Sequence, residues 1–219
     1  MRPIVSMAGV RIIMRIGILA DIHEHTRELR RAIEVLRQHG ADPIVVLGDV
    51  CGMHTRLEGT IEIMDEAGVI GVWGNHDFGL CRDNPRPEDH QRFGERVLAF
   101  MGRLQPRLEI EGCLFTHVEP WLDPEKIEDL WYFDGPPETP EQVARIFAAA
   151  HNRVMFVGHY HCWLLVTPEG IRPWAGDASI ILETGNRHLV AINAVCQGKC
   201  ALFDTETSLL TPFDLVRGG

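Results

Sequence analysis

The chain has 219 residues, of which 45% are hydrophobic and 24% are charged, and its formal net charge is −10. This composition is ordinary for a soluble globular protein of one domain, and the lack of an apolar run near the ~20 residues of a membrane-spanning helix excludes that class of membrane protein. The negative charge repels phosphate backbones, so long nucleic acid is excluded as an expected partner unless a local positive site, such as a bound divalent metal, overrides it.

The regular pattern of the chain begins at Arg15. We treat residues 1–14 as an N-terminal extension without assigned structure and predict one domain over residues 15–219. Arg11 and Arg15 interrupt the apolar part of the extension, which argues against a signal peptide. The six cysteines lack the density of a disulfide scaffold, so we expect reduced thiols and a cytoplasmic protein. The candidate starting residues are Met1, Met7 and Met14.

Short apolar runs alternate with longer charged segments as far as residue 160. Continuous apolar strands separated by helices indicate sheets that are covered on both faces. In the first helix Leu29, Ile33 and Leu36 share one face, and Gly40 gives a stop signal. In chain order the predicted elements are strand 15–20, helix 26–40, strand 43–48, helix 57–68, strand 69–74, helix 88–104, strand 113–116, helix 140–151 and strand 153–158.

The pattern changes after residue 160, where two β-hairpins are predicted, at 163–174 and 188–204. An α/β first part followed by a run of strands indicates two sheets packed together with helices outside. Cys196 and Cys200 flank the Gln-Gly-Lys loop of the second hairpin. We expect them to contact each other across the strands, with a labile disulfide or half of a zinc site as alternatives.

Each apolar strand of the first part ends at residue types that bind metals. Side chains alternate along an extended chain, so the spacing of two in Asp21-Ile22-His23 aims both polar side chains the same way. The carboxyl ends of strands are also where open α/β sheets form their crevices. Carboxylates and imidazoles concentrated there need a cation to hold them together. The five strand ends carry Asp21 and His23, Asp49, Asn75 with His76 and Asp77, His117, and His159 with His161.

Five motifs in this order resemble the calcineurin-like metallophosphoesterases, in particular their small bacterial-type members. The motifs are D-x-H at 21–23, G-D at 48–49, G-N-H-D at 74–77, a single His at 117 and G-H-x-H at 158–161. The resemblance implies an α/β fold: a four-layer α-β-β-α sandwich, in which two mixed sheets pack face to face with flanking helices. This agrees with the two sheets indicated by the strand pattern.

The resemblance also implies a centre of two divalent metal ions bridged by Asp49. A carboxylate has two oxygens and can join two cations. The mixed nitrogen and oxygen donors suit transition metals better than Mg²⁺ or Ca²⁺, so we expect Mn²⁺ or an Fe-containing pair, with Zn²⁺, Ni²⁺ or Co²⁺ as alternatives. The implied ligands are Asp21, His23, Asp49 and His161 for one metal, and Asp49, Asn75, His117 and His159 for the other.

The implied function is hydrolysis of a small phosphodiester or phosphomonoester through a metal-bridging hydroxide. The implied catalytic residues are His76, beside the leaving group, and Asp77, which either orients His76 or caps the following segment. A phosphoprotein phosphatase is the alternative enzyme, and a non-catalytic binding scaffold on the same fold is the alternative class. The presence of all seven implied ligands favours an enzyme.

Two segments depart from the pattern of the small bacterial-type members. Glu24-His25 stand where these often have Gly-Asn, and Asn193-Ala194-Val195-Cys196 stand where these often have Asn-Pro-Gly-Ser. Neither departure touches an implied ligand, so both affect the expected substrate more than the expected catalysis.

Several further residues have open assignments. His25 and His54 are either substrate contacts or polar loop residues, and the second reading is favoured. The same holds for Arg82 and Arg86, which are either phosphate contacts at the rim or solvated loop residues. The Pro-rich stretch 118–140 is either a lid or platform for an aromatic ring or a loop with packed side chains. Its aromatic residues are Trp121, Trp131, Tyr132 and Phe133.

Overall fold

Two six-stranded mixed sheets pack face to face in this protein, as described by a computed structural model. The structure describes residues 14–81 and 85–215. The predicted N-terminal extension, except for Met14, therefore lies outside the described residues, as does Arg82.

The first sheet is built from β1 (Arg15–Leu19), β2 (Ile44–Leu47), β3 (Ile70–Val72), β9 (Ile180–Ile181), β11 (Lys199–Asp204) and β12 (Leu209–Asp214). Its spatial order is β3-β2-β1-β11-β12-β9. The first three strands are parallel, and the remaining pairs are antiparallel. The carboxyl ends of β1, β2 and β3 therefore meet at one edge of this sheet.

The second sheet is built from β4 (Arg107–Ile110), β5 (Cys113–Thr116), β6 (Val154–Val157), β7 (Leu164–Thr167), β8 (Gly170–Arg172) and β10 (His188–Ala191). Its spatial order is β4-β5-β6-β10-β7-β8. The strands β5, β6 and β10 are parallel neighbours, and the other pairs are antiparallel. The carboxyl ends of β5 and β6 consequently lie together.

Helices cover the outer face of each sheet. The first sheet is covered by α1 (Thr26–Gln38), α2 (Leu57–Glu66) and α5 (Glu95–Met101), and the second by α7 (Pro140–Ala149). Between the sheets lies an apolar layer to which both contribute, for example through Phe156 and Phe203, whose ring centroids are 5.3 Å apart. This arrangement confirms the predicted four-layer sandwich. The other helices are α3 (Phe78–Cys81), α4 (Pro87–Arg92) and α6 (Ile127–Leu130).

The first helix forms for the reason that its sequence suggested. Leu29 and Leu36 are fully buried against the first sheet, with Ile33 packed beside them. Gly40 follows with a φ of +78°, the left-handed conformation that favours glycine after a helix. Among the described residues, no helix is long and apolar enough to cross a bilayer.

The predicted helix 88–104 is wrong in its continuity. The chain forms two helices, α4 and α5, separated at Phe93 and Gly94, which both have extended backbone angles. Gly94 lowers the helical preference at this point, and the buried ring of Phe93 fixes the bend in the apolar layer.

The second predicted hairpin, at 188–204, is also wrong. β10 belongs to the second sheet and β11 to the first, so the chain crosses between sheets through a 3₁₀ helix at Val195–Gln197. The hairpin partner of β11 is β12, and Cys200 lies opposite Phe213. Cys196 and Cys200 are therefore not a cross-strand pair, and both are free thiols. The first predicted hairpin is confirmed as β7 and β8.

Candidate metal centre

The five strand ends converge on one site. The loops after β1, β2, β3, β5 and β6 bring together all seven implied ligands. Three groups have donor atoms that lie within 4.8 Å of one another: Asp21, His23 and His161; His23, Asp49 and His76; and Asp49, His117 and His159. Asn75 joins them through Oδ1, which lies 2.9 Å from His117 Nε2 and 3.1 Å from His159 Nδ1.

Asp49 lies between two sets of donors. Its Oδ2 is 3.6 Å from Nε2 of His23, and its Oδ1 is 3.5 Å from Nε2 of His117. On the side of His23, the Nε2 atom of His161 is 3.2 Å from Nε2 of His23 and 3.4 Å from Oδ1 of Asp21. One carboxylate oxygen thus faces each set, which is the arrangement that a bridging ligand requires.

The orientations of the histidine rings bring unprotonated ring nitrogens close to other atoms that also carry lone pairs. Nδ1 of His117 lies 2.7 Å from the carbonyl oxygen of Leu47, and Nδ1 of His23 lies 3.0 Å from that of Cys51. A neutral imidazole donates its proton to such a carbonyl, which leaves Nε2 unprotonated. The Nε2 lone pairs then face Asn75 and Asp49 oxygens or another imidazole. A cation between these atoms satisfies all of them, so the donor set fits divalent metal ions.

The electrostatic potential of the site also favours cations. Burial disfavours a charged His117, but the charges of Asp49 and Asp21 outweigh it and raise the pKa of His117. A hydrogen bond to Asp21 is the main reason that the pKa of His161 is raised to about 10. In contrast, burial lowers the pKa of His159 to about 4. Positive charge is therefore stabilised beside the carboxylates of Asp21 and Asp49.

Glycine is required where the motifs bring two loops into contact. A Cβ atom on Gly74 would lie 2.1 Å from Oδ1 of Asp49, and one on Gly158 would lie 2.8 Å from the carbonyl oxygen of Leu47. Gly48 has a φ of +89°. These close approaches explain why glycine precedes Asp49, Asn75 and His159 in the sequence.

The loops that carry the implied ligands bend sharply at those residues. Asp21, His23, Asp49, His159 and His161 all have φ values between +44° and +65°, a region that non-glycine residues seldom occupy. Such backbone strain is typical of functional sites, because the surrounding structure must hold it in place. The strained backbone lowers the stability of the fold, but it directs these side chains toward one point.

The comparison with known families agrees with this geometry. The family model of the calcineurin-like phosphoesterase superfamily domain matches residues 14–172. The chain belongs to this superfamily. This is a superfamily of phosphoesterases, which supports metal-dependent hydrolysis of phosphate esters in general.

Individual relatives are distant. An uncharacterised protein of Methanocaldococcus jannaschii is 23% identical over 198 residues, covering 83% of this chain and 76% of the relative. A phosphodiesterase of the same organism is 30% identical over 69 residues, covering 32% of this chain and 40% of that protein. The crystal structure of a metallophosphoesterase from Sphaerobacter thermophilus has a TM-score of 0.73 at 21% identity, covering 93% of this chain and 89% of the other.

His76 and Asp77 occupy different environments in the candidate site. His76 exposes its side chain, and its ring centroid lies 4.9 Å from that of His23, at the open side of the donor set. Asp77 is fully buried, and its carboxylate accepts hydrogen bonds from the backbone N–H groups of Val50, Cys51 and Gly74 at 2.8–3.2 Å. None of these donors lies in the segment after Asp77 or on the imidazole of His76, so the contacts match neither expected role and instead join the loop after β2 to the loop after β3.

Glu24 has a structural role that the sequence did not reveal. Its buried carboxylate accepts hydrogen bonds from four backbone N–H groups of the loop after β2, at 2.6–2.8 Å. Burial raises the pKa of Glu24, but the four hydrogen bonds together lower it below its ordinary value. The substitution of Glu for the usual Gly thus ties the loop that follows Asp49 to the loop that follows Asp21. The four donors are Gly52, His54, Thr55 and Arg56.

We expect Glu24→Gln to destabilise the fold by about 1–3 kcal/mol, because the amide leaves part of this set of buried donors unpaired. A depressed native-state pKa stabilises the protein above the unfolded value of about 4.3, and this contribution is lost as the pH falls through the native value. The difference from wild type in urea unfolding should therefore shrink below about pH 4. The exposed Glu66→Gln is the control, and an equal effect of both variants would contradict this role.

The remaining rim residues are occupied by local contacts. Nδ1 of His25 lies 3.0 Å from the carbonyl oxygen of His23, and the ring of His54 packs on Phe93 at 5.5 Å. Arg86 bonds Asp89 at the start of its own helix. The favoured readings of all three as loop residues agree with these contacts.

Proposed function

We propose that this protein is a dinuclear metal-dependent hydrolase of a small phosphodiester or phosphomonoester. The observation that supports this most directly is the position of Asp49, with one oxygen toward each of two donor sets. Asp21, His23 and His161 complete the first set, and Asn75, His117 and His159 complete the second.

The two cations, when bound, would lower the pKa of water toward ~7 and neutralise the oxygens of the phosphate. The nitrogen and oxygen donors favour Mn²⁺ or an Fe-containing pair over Mg²⁺. The protein itself orients the donor atoms. The carbonyl oxygens of Leu47 and Cys51 fix the tautomers of His117 and His23, and Asp77 holds the loop on which Asp49 lies.

His76 is the proposed proton donor to the leaving oxygen. Its side chain is exposed beside the donor sets, and its ring centroid lies 4.9 Å from that of His23 and 5.1 Å from that of Trp131. The ring is therefore free to meet an ester that enters from the open side. A histidine at neutral pH can hold and transfer such a proton.

The proposal is tested by activity after metal reconstitution. The protein is stripped of metal, reloaded with Mn²⁺, Fe²⁺, Co²⁺, Ni²⁺, Zn²⁺ or Mg²⁺, and assayed on a panel of phosphomonoesters and phosphodiesters, with metal content measured by mass spectrometry. We expect two metals per chain and the highest turnover with Mn²⁺ or Fe²⁺. Inactivity with every metal would favour the binding-scaffold alternative, and one metal per chain would contradict the bridged centre.

A further inference from the structure

Two aromatic rings stand exposed beside the proposed metal ligands. Trp131 and Phe133 are 55% and 53% exposed, although aromatic side chains are usually much more buried. The ring centroid of Trp131 lies 5.1 Å from that of His76, and the ring centroid of Phe133 lies 5.4 Å from that of His159. The pair therefore borders the site on the side where His76 is open to solvent.

Phe133 and the backbone of Trp131 are held in place by contacts behind them, the latter through the hydrogen bond from its N–H to the carbonyl oxygen of Ile127 at 3.1 Å. Phe133 packs on Tyr160 at 5.2 Å, and the hydroxyl of Tyr160 donates to Oε1 of the buried Glu119 at 2.5 Å. Trp121 donates to the other oxygen of Glu119 and packs on Tyr132 at 5.3 Å. A segment that is braced in this way presents exposed rings at little cost in conformational entropy on binding.

We propose that Trp131 and Phe133 form an aromatic platform that stacks a planar aromatic ring on the leaving group of the substrate. The inference rests on the proposed function, since the phosphate of the same molecule must lie at the metal centre. Trp131 adjoins His76, the proposed donor to the leaving oxygen, so the platform lies on the leaving-group side. Stacking on an aromatic side chain is tolerant of the identity of the ring.

The size and charge of this region define the ligand further. The exposed surface of two half-exposed rings is far smaller than the ~800 Å² of surface that each partner buries in a standard protein interface. The formal net charge of −10 opposes a long polyanion. The fitting ligand is a small ester whose ring is either a nucleobase or a simple aryl group.

The test compares substrates with and without an aromatic ring on the leaving group. The leaving group is a primary alcohol in every case. One pair is adenosine 5′-monophosphate and ribose 5-phosphate, and the other is benzyl phosphate and cyclohexylmethyl phosphate. In the metal-loaded wild type we expect kcat/KM to favour the aromatic member by about 5- to 150-fold, the size of one stacking contact. Trp131→Ala should remove this preference, and Trp131→Phe should keep most of it.

Tyr132→Ala is the matched control, because Tyr132 is exposed in the same segment but packs on Trp121 and bonds Asp134. It should keep the preference, and an equal loss in this variant would show that loosening of the segment explains the effect. A preference in only one pair assigns the ring as nucleobase or aryl. Equal kcat/KM within both pairs in the wild type would overturn the platform and leave the proposed function standing.

A binding experiment separates the two proposals if hydrolysis fails. Calorimetry on the metal-loaded protein compares benzylphosphonate with cyclohexylmethylphosphonate, which are not hydrolysed. Tighter binding of the aromatic phosphonate, lost in Trp131→Ala, would support the platform even if the four esters are stable. Equal affinities would overturn it whatever the activity.

Discussion

Asp49→Asn is expected to abolish the gain in thermal stability that metal gives and to lower turnover by more than about 100-fold. Substitution of a residue that only supports a metal ligand lowers metal affinity or activity by up to about 100-fold. Asp49 faces both donor sets itself, so its substitution is expected to have a larger effect. Asparagine has one oxygen and no charge, so it cannot bridge two cations. Because any species that binds only the folded state stabilises it, the loss of metal binding appears directly as a loss of the metal-induced rise in Tm.

The metal-free variant should be at least as stable as the metal-free wild type. Burial raises the pKa of Asp49. The charge of His117 lowers this pKa, and the charges of Asp77 and Asp21 raise it further. The ionised carboxylate is thus disfavoured by the fold, and the neutral amide removes this cost. Oδ1 of the asparagine can still accept the backbone N–H of His76, which bonds Asp49 at 3.0 Å.

Thermal unfolding with and without Mn²⁺ distinguishes these effects from general damage. Asp65→Asn is the control, since Asp65 lies on the surface of α2 and pairs with Arg96 and Arg103. We expect that control to keep the full metal-induced rise in Tm and to have little effect on stability, because exposed ion pairs contribute little. A metal-induced rise of wild-type size in Asp49→Asn would exclude the bridging role.

The site was predictable because its information is local in the sequence. Each implied ligand follows a short apolar strand, and parallel strands carry their carboxyl ends to one edge, so the order of motifs already implied convergence. The glycines before Asp49, Asn75 and His159 belong to the same local signal. The convergence of all seven side chains needed the second sheet, which the strand pattern indicated without giving its topology.

The errors arose where the structure depends on distant partners. The apolar runs at 188–191 and 199–204 are separated by a Gly-containing loop, which is the local signal of a hairpin, yet each strand pairs with a different sheet. The sequence analysis missed the strand β4, although charged and apolar residues alternate along it and a Glu111-Gly112 pair follows. In the structure this pair forms a hairpin turn with positive φ values at both positions.

The roles of buried carboxylates were likewise beyond local patterns. Asp77 accepts from residues 26 and 27 positions away, and Glu24 accepts from residues 28 to 32 positions away. Both bonds join the loop after β2 to a neighbouring loop. Spacing along the chain does not encode such contacts, because they depend on how the loops lie after the strands have paired.

His76→Ala is expected to keep both metals and to lower turnover of unactivated esters by about 10²–10⁴-fold, the usual contribution of a positioned proton donor. The structure explains why the metals should stay. The link between His76 and Asp49 runs through the backbone N–H of His76, at 3.0 Å from Oδ1, and alanine retains that group. The imidazole of His76 is exposed, so its removal is expected to affect the chemistry and to leave the proposed bridging position of Asp49 in place.

The leaving group supplies the sharper measurement. An ester with a p-nitrophenolate leaving group needs little protonation, so the variant should lose much less activity on it than on an alkyl ester, if His76 donates the proton. The exposed His151→Ala should lose activity on neither. A donor atom of His76 also lies within 4.8 Å of donor atoms of His23 and Asp49, and a fall in metal content in His76→Ala would make His76 a ligand. Equal losses on both esters with full metal content would show that its imidazole stabilises the phosphoryl oxygens and donates no proton, because only proton donation depends on the basicity of the leaving group.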